Sequence, residues 1–100
     1  MSKYISKHPK PTPYQREILT ILIEECGEVI QAASKILRFG AADGYPGTNR
    51  TNAGDLSKEL GDIAWMVQMA TAAGLVNQET VVLAADQKRV KVADFMQEKP

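Results

Sequence analysis

Five acidic side chains fall in two short blocks of the sequence, at a spacing that suits metal binding. The blocks read EECGE at residues 24–28 and ELGD at residues 59–62. Carboxylates three residues apart lie on the same side of a helix. Two antiparallel helices can therefore present Glu25 and Glu28 from one block, and Glu59 and Asp62 from the other, to a shared cluster of ions.

The position of these carboxylates on their helices favours a metal site over a solvated helix face. At about 100° per residue, Glu25 falls inside an apolar stripe, and Glu59 and Asp62 fall beside apolar residues. We expect all five carboxylates, including Glu24 and Glu28 nearer the margin, to point into apolar surroundings. Unpaired buried carboxylates cost several kcal/mol each, roughly, so cations are required. The alternative is a solvated acidic patch, which is common at this spacing.

The composition restricts the metal and the class of partner. With one histidine and one cysteine, the chain lacks the ligands of a structural zinc site, and oxygen ligands suit Mg²⁺ or Mn²⁺. The formal net charge of zero, from twelve basic and twelve acidic residues, argues against nucleic acid and membrane surfaces as partners. No apolar stretch is long enough to span a membrane, so we expect a cytoplasmic protein. We expect Cys26, which has no basic neighbour, to be a small buried apolar residue.

The pattern of the chain predicts an all-α fold in which three helices position the two blocks. An N-terminal arm at residues 1–11 precedes a single domain at 12–97, with helices at about 13–39, 52–73 and 78–96 and a loop at 40–51. Thr12 with Gln15 forms a capping box, Gly40 ends the long first helix, and Asn77 caps the third. The second helix is expected to pack antiparallel to the first.

The residues of both blocks resemble the MazG-type, all-α nucleoside triphosphate pyrophosphohydrolases. That family carries two adjacent Glu, a third Glu three positions later, and then a separated Glu-x-x-Asp. The likeness extends over about residues 14–73 and includes ELGDIAWMV, which begins with the second block, and RFGAADGYPGTNRTN between the blocks. The resemblance implies hydrolysis of a nucleoside triphosphate, whether ordinary, deoxy or non-standard, to the monophosphate and pyrophosphate, with Mg²⁺ bound by Glu25, Glu28, Glu59 and Asp62.

Further residues are candidates for handling the substrate and the attacking water. Glu24, beside the ligands, is the candidate for orienting the water. Lys88 interrupts the apolar stripe of the third helix and is the first candidate for binding phosphates. Lys35 and Arg38 are further phosphate candidates, although lysines on amphipathic helices are often merely solvated. Tyr14 is a candidate for covering the base, or else packs at the start of the first helix.

The length of the elements predicts self-association. A first helix of about 27 residues is about 40 Å long, and two more helices cannot cover it. The second helix is apolar on nearly every side, and we expect Trp65 to lie at a subunit interface. A helical bundle completed by a homodimer, or by a tetramer as the resemblance suggests, supplies the missing cover.

Two other functions remain open from the sequence. One is a non-enzymatic helical dimerisation or metal-binding module whose carboxylates are solvated or hold structural ions. The other is a phosphoribosyl-ATP pyrophosphohydrolase-type activity, which shares the carboxylate pattern.

Overall fold

Three helices make up the computed structural model, which describes residues 8–100. They are α1 (Pro13–Phe39), α2 (Asn52–Ala72) and α3 (Gln78–Phe95). In this part of the chain the only strand-like pairing is an isolated bridge between Gly44 and Thr51. The all-α prediction is confirmed, and each helix bound differs from the predicted one by at most one residue. Residues 1–7 of the predicted arm lie outside the described residues.

Local capping explains where α1 begins and ends. The Thr12 hydroxyl accepts a hydrogen bond from the Gln15 backbone N–H at 3.1 Å, and the Gln15 side chain accepts one from the Thr12 N–H at 2.9 Å. This reciprocal pair satisfies two N–H groups that the first turn would otherwise leave unpaired. At the other end Gly40 has φ 94°, a backbone conformation that side chains with a Cβ rarely adopt. The chain therefore leaves the helix at Gly40.

Helices α1 and α2 pack antiparallel, as predicted. Near the start of α1 the Gln15 amide donates a hydrogen bond to the carbonyl of Ala73, just after α2, at 2.9 Å. One turn further, Ile18 is buried against Met66 and Ala70 in the second half of α2. At the opposite end Lys35 of α1 and the first turns of α2 line one cavity. The two acidic blocks therefore face each other near the middle of the pair.

Helix α3 packs less closely and contributes no buried residue. Its start is well defined, because the Asn77 side chain accepts a hydrogen bond from the Thr80 N–H at 2.9 Å. Its apolar side chains, however, remain exposed, and Phe95 is 84% exposed. No helix in the described part of the chain is both long and apolar enough to cross a membrane.

Candidate metal centre

Three carboxylates from the two helices converge at the predicted place. Glu25 on α1 and Glu59 and Asp62 on α2 each offer an oxygen atom, and these atoms lie within 4.8 Å of one another. All three side chains are half-buried. The i,i+3 spacing brings the two α2 residues to one face, and antiparallel packing brings Glu25 opposite them.

Of the three carboxylates, Glu25 has the environment that most favours a bound cation. Its Oε2 atom is buried and has no hydrogen-bond partner in the described part of the chain. The pKa of Glu25 is raised above its ordinary value, chiefly by burial, then by its hydrogen bond with Glu59 and the negative charges of Asp62 and Glu59. A bare carboxylate oxygen beside two more carboxylates is a donor set that fits Mg²⁺ or Mn²⁺.

Lys58 supplies positive charge at the edge of the triad. Its Nζ atom lies 3.1 Å from Asp62 Oδ2 and 3.6 Å from Glu59 Oε1. Its hydrogen bond to Asp62 is the main reason that the pKa of Lys58 is raised. The sequence reasoning gave Lys58 no role, although its i,i+4 spacing to Asp62 is a readable signal for such a pair. The Lys58 side chain is 69% exposed, so its ammonium group is free to move away from the two carboxylates.

The other two acidic residues of the first block lie apart from the triad. Glu24 and Glu28 are both exposed, so the expectation that all five carboxylates point into apolar surroundings is wrong for these two. The reason is helix rotation: α2 covers the side of α1 that carries Glu25 and leaves the margin open. Glu28 lines a cavity next to the triad, and Glu59 lines the same cavity.

The cavity beside the triad has a volume of about 180 Å³ and a mixed, charged lining. It lies between α1, α2 and the connecting loop. Its lining residues are Glu28, Gln31, Ala32, Lys35, Tyr45, Arg50, Asp55, Lys58 and Glu59. Because Glu59 belongs to both the triad and the cavity, a molecule bound in the cavity would lie next to the metal centre.

Tyr45 organises the loop side of this cavity. Its hydroxyl accepts a hydrogen bond from Lys35 Nζ at 3.0 Å, and the Arg50 guanidinium lies 4.1 Å from its ring centroid. Arg50 also forms an ion pair with Asp55, at 3.2 Å. The sequence analysis did not select Tyr45; an aromatic residue within a Gly- and Pro-rich loop is the signal that could have done so.

Backbone contacts hold the loop in this shape. The buried Asn52 side chain donates a hydrogen bond to the Gly40 carbonyl at 3.0 Å, which closes the loop across its base. At Gly44 an added Cβ would collide with the Arg50 carbonyl, so only glycine permits the two chain segments to approach this closely.

The remaining predicted site residues are spread over the surface. Lys35 lines the cavity, whereas Arg38, Tyr14 and Lys88 do not. The Arg38 guanidinium lies 5.0 Å from the Phe39 ring centroid, Tyr14 is exposed at the start of α1, and Lys88 is exposed on α3. Cys26 is exposed rather than buried, because it lies on a side of α1 that α2 does not cover. Trp65 is also exposed on the described chain.

An antiparallel helix pair with a half-buried carboxylate triad and a charged cavity beside it defines the class: an all-α protein with an acidic site. The sequence matches the family model of the MazG nucleotide pyrophosphohydrolase domain over residues 14–95, which covers all three helices except the first residue of α1. The chain therefore belongs to the MazG nucleotide pyrophosphohydrolase family. No curated protein and no solved structure matches the chain significantly.

Proposed function

We propose that this chain hydrolyses a nucleoside triphosphate to the nucleoside monophosphate and pyrophosphate, with Mg²⁺ or in its place Mn²⁺. The observation that carries the proposal is the buried, partnerless oxygen of Glu25 facing Glu59 and Asp62 in a member of this family. A triphosphate carries several negative charges and is repelled by this triad unless positive charge lies between them.

In this proposal the ligands are Glu25, Glu59 and Asp62, with Glu28 as the fourth. A divalent cation held there would neutralise the carboxylates and polarise the phosphate oxygens of the substrate. The assignment of Glu28 is supported by its lining the cavity that Glu59 also lines. Glu24, exposed on the same helix, orients the water for in-line attack on the α-phosphorus.

The proposed substrate-binding residues divide into one that lines the cavity beside the triad and three that lie outside it. Lys35 lines the cavity beside the triad, which supports its assignment to a phosphate of the substrate. Arg38, Lys88 and Tyr14 lie outside it, and we assign them to parts of the substrate that extend beyond the cavity. This grouping agrees with the size of the cavity, which is smaller than the pockets of roughly 300–1,000 Å³ that hold whole ligands.

We further propose that the active form is a homodimer, or a tetramer built from two such dimers. Helix α3 buries none of its residues on the described chain, and Trp65 on α2 is exposed. A second copy would cover these apolar side chains, which a stable soluble protein rarely leaves in contact with water as one large patch.

The reaction is tested by incubating purified protein with Mg²⁺ and a panel of ribonucleotide and deoxynucleotide triphosphates and phosphoribosyl-ATP. Monophosphate and pyrophosphate are measured as products. Glu59→Gln should lose nearly all turnover while keeping its helical circular dichroism. Glu17→Gln, an exposed substitution on α1 far from the triad, should remain active. Release of single orthophosphates, or no turnover of any compound by the unaltered protein, would contradict the proposal.

A further inference from the structure

We propose that Arg50, stacked on Tyr45, forms the subsite for the pyrophosphate portion of the substrate, in the cavity beside the carboxylate triad. This inference rests on the proposed function, since it assigns one part of a nucleoside triphosphate to one place. The starting observation is that the connecting loop presents Arg50 and Tyr45 at the wall of a cavity that Glu59 of the triad also lines.

The cavity suits a phosphate group better than a base. A base would be expected to stack on the face of Tyr45, but the Arg50 guanidinium already lies 4.1 Å from the ring centroid. The Tyr45 hydroxyl is engaged by Lys35 at 3.0 Å. With a volume of about 180 Å³, the space takes a fragment of a nucleotide rather than the whole.

The Arg50 guanidinium is held in place before any ligand arrives. Its Cζ atom lies 4.1 Å from the centroid of the Tyr45 ring, and its Nη2 atom donates to Asp55 Oδ2 at 3.2 Å and to Oδ1 at 3.4 Å. Both of these bonds use the same nitrogen, so Nη1 and Nε remain as donors within the described part of the chain. A planar guanidinium with two N–H directions available matches the oxygens of a phosphate.

The charges of the cavity favour an anion once the triad is neutralised. Its lining contains three cationic side chains, Lys35, Arg50 and Lys58, and three acidic ones. Arg50 neutralises Asp55, while Lys58 is now engaged with Glu59 and Asp62. A divalent cation at the triad would replace Lys58 there and release its ammonium group toward the cavity. The net charge around the cavity would then be positive, next to the reacting phosphorus.

Binding of inorganic pyrophosphate, measured by calorimetry in the presence of Mg²⁺, tests the subsite without any need for turnover. Arg50→Gln should weaken this binding by about 10- to 100-fold, as expected for the loss of charge-assisted hydrogen bonds. Arg50→Lys keeps the positive charge but lacks the planar guanidinium, so its affinity for pyrophosphate should lie between those of the unaltered protein and Arg50→Gln. Binding of a nucleoside monophosphate should be unchanged in both variants.

The matched control is Arg89→Gln, which breaks an Arg–Asp pair of 3.2 Å on α3, away from the cavity. It should bind pyrophosphate like the unaltered protein. Circular dichroism of Arg50→Gln should show an intact fold, because its side chain is 60% exposed. Tyr45→Leu removes the support of the guanidinium and should also weaken pyrophosphate binding, while Tyr45→Phe should retain most of it.

The outcomes separate this inference from the proposed reaction. Turnover with an unchanged pyrophosphate affinity in Arg50→Gln would overturn the subsite and leave the reaction standing. If pyrophosphate binding depends on Arg50 but no nucleotide is hydrolysed, the result would support the subsite and contradict the proposed reaction. A loss of monophosphate binding instead of pyrophosphate binding would overturn the assignment, as would failure of the unaltered protein to bind pyrophosphate.

Discussion

Glu25, Glu59 and Asp62 hold three like charges within a space that a single cation can bridge. Lys58 offsets only part of this repulsion, from an exposed position on the α2 side. At the residue scale, therefore, the three carboxylates without a cation are electrostatically unfavourable, and this cost falls on the residues that we propose as metal ligands.

The cost should be visible in the stability of the metal-free protein. The pKa of Glu25 is raised in the folded state, so its ionisation destabilises the fold at pH values above that raised pKa. As the pH falls below the ordinary value, Glu25 is protonated whether the chain is folded or not, and the cost disappears. Glu25→Gln should therefore raise the melting temperature in EDTA at pH 7, with a gain that shrinks toward pH 4.

Thermal melts followed by circular dichroism measure this effect, with Glu17→Gln as the control. Added Mg²⁺ should raise the melting temperature of the unaltered protein more than that of Glu25→Gln, because the variant lacks one of the proposed ligands. A lower melting temperature for Glu25→Gln in EDTA would contradict the argument.

Lys58 provides a second prediction at this scale. Its ammonium group contacts Glu59 and Asp62, so it would compete with a metal ion bound by these two carboxylates. Lys58→Met should therefore bind Mn²⁺ more tightly, by up to about fivefold, since exposed ion pairs are individually weak. Titration calorimetry without nucleotide measures this affinity, and Lys91→Met on α3 is the control. An unchanged or weaker affinity in Lys58→Met would show that Lys58 does not compete.

At the scale of elements, the loop between α1 and α2 depends on a hydrogen bond made by a buried side chain. Asn52, at the start of α2, reaches across to the carbonyl of Gly40, at the end of α1. The bridge between Gly44 and Thr51 lies within the loop that this hydrogen bond closes. Tyr45 and Arg50 are the next residues inward from the bridge, where they contact each other. The loop therefore forms one wall of the cavity beside the triad, and its shape depends on residues that do not line that cavity.

Asn52→Ala should destabilise the protein by about 0.5–1.5 kcal/mol, because it removes the hydrogen bond that the buried Asn52 side chain donates to the Gly40 carbonyl. It should also weaken pyrophosphate binding through the displaced Arg50. Asn49→Ala, in the exposed part of the same loop, should change the free energy of unfolding by less than about 0.5 kcal/mol. Urea denaturation compares the two, and equal effects would mean that the closure at Asn52 is unimportant.

The whole molecule is too extended for a chain of its length. Its radius of gyration is 17.8 Å, against about 13 Å expected for a compact domain of 100 residues. Only four apolar residues are buried among those described: Ile18, Ala32, Met66 and Ala70. Such a small core is a weak basis for a stable monomer, and the exposed apolar side chains of α3 are the surface that a second copy would bury.

A homodimer should therefore be observed in solution. Light scattering after size exclusion should give a mass at least twice the 11.0 kDa of one chain. Val82 lines two surface cavities, one at the start of α3 and one between α3 and α2, so Val82→Glu should shift the mass toward the monomer and lower the melting temperature. Gln87→Glu, which adds the same charge elsewhere on α3, should remain a dimer. A monomeric unaltered protein would contradict the assembly.

The sequence by itself determined the features that a few neighbouring residues encode. The capping box at Thr12, the Asn77 cap and the apolar periodicity gave the helices to within a residue, and the Glu-x-x-Asp spacing placed Glu59 and Asp62 together. Such signals are local, because capping and helical spacing act over one or two turns.

Only the tertiary structure decided which side chains of different elements meet. The sequence predicted that Glu25 meets Glu59 and Asp62, but only the rotation of α1 against α2 decided that Glu24, Cys26 and Glu28 stay exposed. The cavity wall at Tyr45 and Arg50 depends on hydrogen bonds between residues 12 positions apart, such as Gly40 and Asn52. These contacts follow from packing and loop closure over the whole helix pair, which no short stretch of sequence specifies.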